Sequence, residues 1–181
     1  MIRLWSCFLG YARISLYKII WVFLFACVFY TILQLLQRWF LEFQKVDRKK
    51  EIFRIMLSIA FSLIFVMTLF GRAQGEAGYH VMPFQSHIKA FKENDVELIL
   101  QIIMNIILYI PLGFLLPCSF EKFKKVRCLF LVALTCSFGI ELIQGFLKIG
   151  LLEIDDVINN VFGAMIGLGI YMTIKMMKKR N

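Results

Sequence analysis

Acidic residues are scarce in this chain: twelve Asp and Glu stand against twenty-one Lys and Arg, a formal charge of +9 over 181 residues. That excess alone would suit a nucleic-acid partner, but its distribution excludes one. The basic residues gather at the ends of apolar runs, which is the pattern of topology signals and headgroup contacts. Cysteine is sparse too. Cys7, Cys27, Cys118, Cys128 and Cys136 are odd in number and form no CxxC. Cys27 and Cys136 lie inside apolar runs, where cysteine behaves as a small hydrophobe. Neither a disulfide framework nor a zinc site is expected. Histidine is limited to His80 and His87. Two histidines in one loop are too few for a metal centre, so no metal or other cofactor is expected. No internal repeat and no low-complexity tract occurs. No small-x-small cleavage site follows the first apolar run, which extends from Ile19 to about Leu36 and is long for a signal peptide, so no cleaved leader is expected.

Hydrophobic residues are abundant, at 60% of the chain, with a mean hydropathy of +0.76. Soluble domains sit near 45–50% apolar. The excess lies in long runs, so the expected fold is all-α: a polytopic transmembrane helical bundle of about five spans. The spans are placed at residues 16–37, 52–70, 98–117, 127–147 and 157–176. Residues 1–51 then form a first transmembrane helix and a basic interfacial connection, and residues 52–181 the main bundle.

The connections set the expected orientation. Segment 38–51 carries Arg38, Lys45, Arg48, Lys49 and Lys50, and segment 118–127 carries Lys122, Lys124, Lys125 and Arg127. The tail adds Lys175, Lys178, Lys179 and Arg180, whereas segments 71–97 and 148–156 are mixed or acidic. The positive-inside rule puts the basic segments in the cytoplasm, the N-terminus outside and the C-terminus inside. Arg3, Arg13 and Lys18 pull mildly the other way. Trp39, Phe40 and Phe43 among lysines suit the headgroup layer. Gly71, Gly75 and Gly78 make the front of the long outer connection irregular, and Pro83 with Phe84 turns it back toward the membrane.

Acids and amides inside apolar sequence are the most informative feature. A carboxylate at bilayer depth costs about 3 kcal/mol on insertion scales. Asn105 lies about two turns, or ~10 Å, into the third span. Glu141 and Gln144 share a face near the outer end of the fourth, at i, i+3. Asp155, Asp156 and Asn159 sit at the outer mouth of the fifth, and Asn159, Gly163 and Gly167 follow at i+4 steps. The Gly-x-x-x-Gly stripe allows close helix contact. Three helices thus bring polar groups to one depth, with nothing comparable expected on the inner half. For Asp155 or Asp156 the plainer role is to cap the fifth helix. Pro111 is expected to kink the third span, and Asn105 alone fits an interhelical hydrogen bond.

At these residues the chain resembles the VanZ-like membrane proteins. The matching elements are Met82-Pro83-Phe84, then Asn105 with Pro111-Leu112-Gly113. Phe138-Gly139-Ile140-Glu141-Leu142-Ile143-Gln144 follows, and then Asp155-Asp156-Val157-Ile158 with Asn160, Gly163 and Gly167. The resemblance covers about residues 80–170. The family pattern places its asparagine at Asn160, whereas spacing on the glycine stripe favours Asn159, so both are candidates. Many relatives carry an arginine shortly before the acidic pair, where this chain has Gly150-Leu151-Leu152.

The resemblance implies a bacterial cell-envelope protein whose namesake confers resistance to teicoplanin, a lipid-tailed glycopeptide. It carries over no catalytic residue and no cofactor. The expected function is modulation of susceptibility to such antibiotics through an outer-leaflet polar pocket of Asn105, Glu141, Gln144, Asp155, Asp156, Asn159 and Asn160. Pro111, Gly113, Gly163 and Gly167 are the expected helix-packing residues. Expected partners are membrane lipids and a lipid-linked cell-wall precursor or lipoglycopeptide. The competing readings are a membrane enzyme acting on a lipid-linked envelope substrate, with Glu141 as general base, and a transporter, which the missing repeat disfavours.

Overall fold

Apolar runs of membrane-crossing length become continuous helices, because a helix satisfies its own backbone where water is absent. The computed structural model describes residues 16–40, 47–69, 79–80, 82–149 and 152–180. The readings placed on Arg3, Cys7, Arg13, Phe43, Lys45, Gly71, Gly75, Gly78, Gly150 and Leu151 lie outside the described residues.

The elements in chain order are α1 (Leu16–Phe40), α2 (Arg48–Leu69), β1 (Tyr79–His80), α3 (Gln85–Lys92), α4 (Val96–Ser119), a 3-10 turn (Glu121–Lys124), α5 (Val126–Leu147), β2 (Leu152–Glu153) and α6 (Ile154–Arg180). Five of them, α1, α2, α4, α5 and α6, are long and apolar enough to cross a membrane. The protein is a multi-pass helical membrane protein. Four spans start earlier than their apolar residues suggest, two of them by three or four residues. At α2 the Asp47 carboxylate accepts the Lys49 amide at 3.0 Å, so the cap lies before the basic turn. At α6 the acidic pair lies inside the first helical turn.

The core is built on α4 and α6. A Cβ added to Gly163 would sit 2.1 Å from the Ile106 carbonyl oxygen, and one on Gly167 would sit 2.1 Å from that of Ile110. The contacts advance together along both chains, so the two helices run parallel, as the intervening α5 requires. Gly113 returns the contact, its notional Cβ 1.9 Å from the Ala164 oxygen. Backbone thus lies on backbone, which only glycine permits here. Pro111 is exposed and takes no part, and α4 continues as helix through both Pro111 and Pro117. Tyr109, Leu112, Leu129, Ala133 and Leu168 fill the remaining core. The outermost span, α1, packs on α2 through Phe25 against Phe65 and Phe29 against Phe61, with ring centroids 4.9 and 4.2 Å apart.

Polar groups also collect at the end of the bundle near Arg48, which corrects the expectation that only one end holds them. Glu51 accepts hydrogen bonds from Tyr30 and Gln34 of α1. Arg54 donates to the other Glu51 oxygen at 2.9 Å. Glu51 and Arg54 lie in the first two turns of α2, where Glu51 faces α1.

Candidate functional site

At the opposite end of the bundle the described parts of the connections form short elements. Phe84 takes a left-handed backbone, φ 65°, and opens the short helix α3. The strands β1 and β2 pair in parallel, Tyr79 with Leu152 and His80 with Glu153, and tie the two connections together.

A first group of polar side chains satisfies the loose ends of other helices. The first N–H and last C=O groups of any helix lack partners within it. Asp155 Oδ1 accepts the Phe84 amide at 2.5 Å and Oδ2 accepts the Ser86 amide at 2.7 Å. It therefore caps α3, which lies about seventy residues away in sequence, while standing with Asp156 in the first turn of its own helix. Glu141 Oε2 accepts the Glu153 amide at 3.1 Å, just before α6 begins. Gln144 Nε2 donates to the Thr68 carbonyl at 2.9 Å, in the last turn of α2. Ser86 Oγ donates to Glu153 Oε2 at 3.5 Å, a long and weak bond.

A second group meets side chain to side chain. His87 Nε2 lies 3.0 Å from Asn159 Oδ1, and His87 Nδ1 lies 3.8 Å from Asp155 Oδ2. Asn160 Nδ2 donates to Ser137 Oγ at 2.9 Å. The two neighbouring asparagines thus have different partners, one on α3 and one on α5, and both are buried. Tyr109 is fully buried. Its hydroxyl lies beside Ser137 but outside hydrogen-bond geometry, within electrostatic reach of Glu141 and Asp156.

Glu141, Gln144, Asp155, Asp156, Asn159 and Asn160 are each no more than 3% exposed. The arrangement is therefore shut, a polar core rather than the open nook expected from sequence. Several buried atoms have no hydrogen-bond partner: His87 Nδ1, Gln144 Oε1, Asn159 Nδ2 and Asn160 Oδ1 within it, and the Tyr109 hydroxyl and Asn105 Nδ2 on α4. Such groups are normally few, because each costs about 1–3 kcal/mol when left bare. Asn105 stands one turn before Tyr109 on α4, and no hydrogen bond joins it to the acidic corner among the described residues. Among the described residues, no three His, Cys, Asp or Glu side chains converge as metal ligands would.

Ser86, His87, Tyr109, Ser137 and Glu153 were not expected in the site. Spacing carried part of the signal: Tyr109 is four residues after Asn105, and Ser137 four before Glu141. His87 had none, since its partners come from the far end of the chain.

Comparison with known proteins places this arrangement in context. The family described as VanZ/LLP1 matches residues 19–175, so the match extends across α1 and α2 as well as the motif-bearing region. "Protein VanZ" of Enterococcus faecium is 36% identical over 72 residues, covering 39% of this chain and 44% of that protein. The chain therefore spans less than half the length of that curated relative. No solved structure matches.

Proposed function

The chain belongs to the VanZ/LLP1 family, and from that premise we propose that it is a bacterial envelope protein that lowers susceptibility to lipid-tailed glycopeptides of the teicoplanin type. The polar core at the α3 end is its ligand site, and it opens toward the outer leaflet when α3 lifts. The observation that carries this reading is the set of bare polar atoms on Asn105, Tyr109, Gln144, Asn159 and Asn160. Amide N–H groups and carbonyl oxygens stand there together. They suit a ligand that both donates and accepts, such as a hydroxyl- or amide-bearing headgroup. The lipid tail of such a ligand lies along the apolar faces of the spans. The C-terminus is cytoplasmic in this reading, which the basic residues at the other end support through the positive-inside rule.

Expression in a susceptible host tests the proposal. The wild-type protein raises the inhibitory concentration of teicoplanin and leaves that of an untailed glycopeptide unchanged. Gln144→Leu and Glu141→Gln, checked for equal abundance, reduce the effect. Losing one neutral hydrogen bond to a ligand weakens binding about fivefold. A tag after Arg180 in the same strains stays protected from external protease. Full protection by Gln144→Leu, or a cleaved tag, overturns the reading.

A further inference from the structure

At the end remote from the polar core, three elements converge. An ion pair of 3.6 Å between Lys50 and Glu121 joins the first turn of α2 to the 3-10 turn. The N-terminus of α5 follows directly at Val126. Two helix N-termini therefore direct partial positive charge to one corner. Segments 47–54 and 121–127 add eight basic side chains against three acidic ones. Lys124 donates to Glu121 and holds that carboxyl below the usual carboxylate range, so Glu121 stays ionised and committed to lysine.

Charge alone would make only a basic surface. Two buried donors make the corner more specific. Arg54 is 9% exposed and lies with its guanidinium carbon 5.4 Å from the centroid of the Phe120 ring. Its terminal nitrogen is bound to Glu51, but Nε has no partner. Ser119, adjacent to Phe120 and 2% exposed, has an Oγ with no partner either. A guanidinium can only donate, so a ligand at Arg54 must supply acceptors. In a field of this sign those acceptors are anionic oxygens. An apolar surface concavity of about 310 Å³, lined by Val126, Arg127, Phe130 and Leu131, begins at the first residue of α5. Such a surface suits an acyl chain leading away from an anionic head.

We propose that the corner formed by Arg54, Ser119 and the 3-10 turn binds the phosphate of an anionic membrane lipid. Its chain lies on the first two turns of α5. The site is separate from the polar core and stands whether or not that core binds glycopeptides.

Native mass spectrometry of the full chain, extracted with equimolar phosphatidylglycerol and diacylglycerol of the same acyl chains, tests it. The wild type retains phosphatidylglycerol about tenfold over diacylglycerol, which lacks the phosphate, as one charge-assisted hydrogen bond predicts. Arg54→Lys keeps a cation for Glu51 but removes Nε, and Ser119→Ala removes the hydroxyl. Each abolishes most of the preference. Should Arg54→Lys fail to fold, Ser119→Ala decides alone. Equal retention of the two lipids by the wild type overturns the proposal, as does undiminished preference in Ser119→Ala. Displacement of the lipid by excess inorganic phosphate as readily as by more phosphatidylglycerol overturns the lipid assignment.

Discussion

Replacing Gly163 with valine prevents recovery of folded protein. Any Cβ there meets the Ile106 carbonyl oxygen at 2.1 Å and its carbon at 2.9 Å. The obstacle is backbone on a helix, which has no rotamer to yield, so α4 and α6 must separate. Overpacking a core typically costs about 1–3 kcal/mol, and a seam blocked by backbone lies at or above that limit. Gly163→Ala therefore loses about 3 kcal/mol, and the branched valine more. Size-exclusion chromatography in mild detergent reads the outcome. The wild type elutes as one sharp peak, Gly163→Ala does so with a lowered melting temperature, and Gly163→Val aggregates. Gly169→Ala is the control, because nothing lies within 4 Å of its notional Cβ. Alanine there gains up to about 1 kcal/mol from helix propensity in an exposed helix. A Gly163→Val protein that elutes and melts like the wild type contradicts the close packing of α4 on α6.

Asp155→Ala releases α3 from the bundle while leaving the spans folded. The eight residues of α3 are too few to hold a helix alone. Its first amides rely on the two Asp155 oxygens, at 2.5 and 2.7 Å. Hydrogen bonds to a charged group contribute about 1.5–3 kcal/mol each, so losing the pair costs α3 about 3 kcal/mol of local protection. Hydrogen exchange across residues 84–92 then accelerates about a hundredfold, while Tyr109, Leu112 and their neighbours on α4 are unaffected. Asp155→Asn, which keeps one accepting oxygen and loses the charge, falls between. Unchanged exchange in Asp155→Ala means that α3 is held by something other than this carboxylate.

Features that depend on local periodicity and run length were legible in the sequence. Five apolar runs became five helices, with starts shifted by a few residues where Asp47 caps one helix and the 155–156 pair joins another. Gly163 and Gly167 lie in the seam because their i, i+4 spacing is a property of one helix. The polar positions Glu141, Gln144, Asp155 and Asn160 stood out because each contradicts the apolar sequence around it.

What the sequence left hidden depends on contacts between distant segments. Asp155 looked like a cap for the helix it begins, yet it caps one that starts at Gln85. No local signal distinguishes the two, since the choice depends on where the chain returns. His87 has the same difficulty: its partners are Asn159 and Asp155. The two-residue strands at Tyr79 and Leu152 are too short to carry a period-two pattern. Glu51 and Arg54 lay among lysines at a span boundary, where charge reads as topology. Only the packing of α1 on α2 turns Glu51 toward Tyr30 and Gln34.

The most direct measurement is cross-linking of α3 to α6 in membranes with a short bis-methanethiosulfonate reagent, the native cysteines replaced. His87→Cys with Asn159→Cys joins positions whose native side-chain tips lie 3.0 Å apart, so the shorter cysteines leave a gap that the reagent spans. Lys89→Cys with Asn159→Cys uses an exposed residue two positions on, which points away from the face that carries His87. A lid docked on the acidic end cross-links the first pair and spares the second. Equal trapping of both pairs, or of neither, would contradict a shut polar core beneath α3.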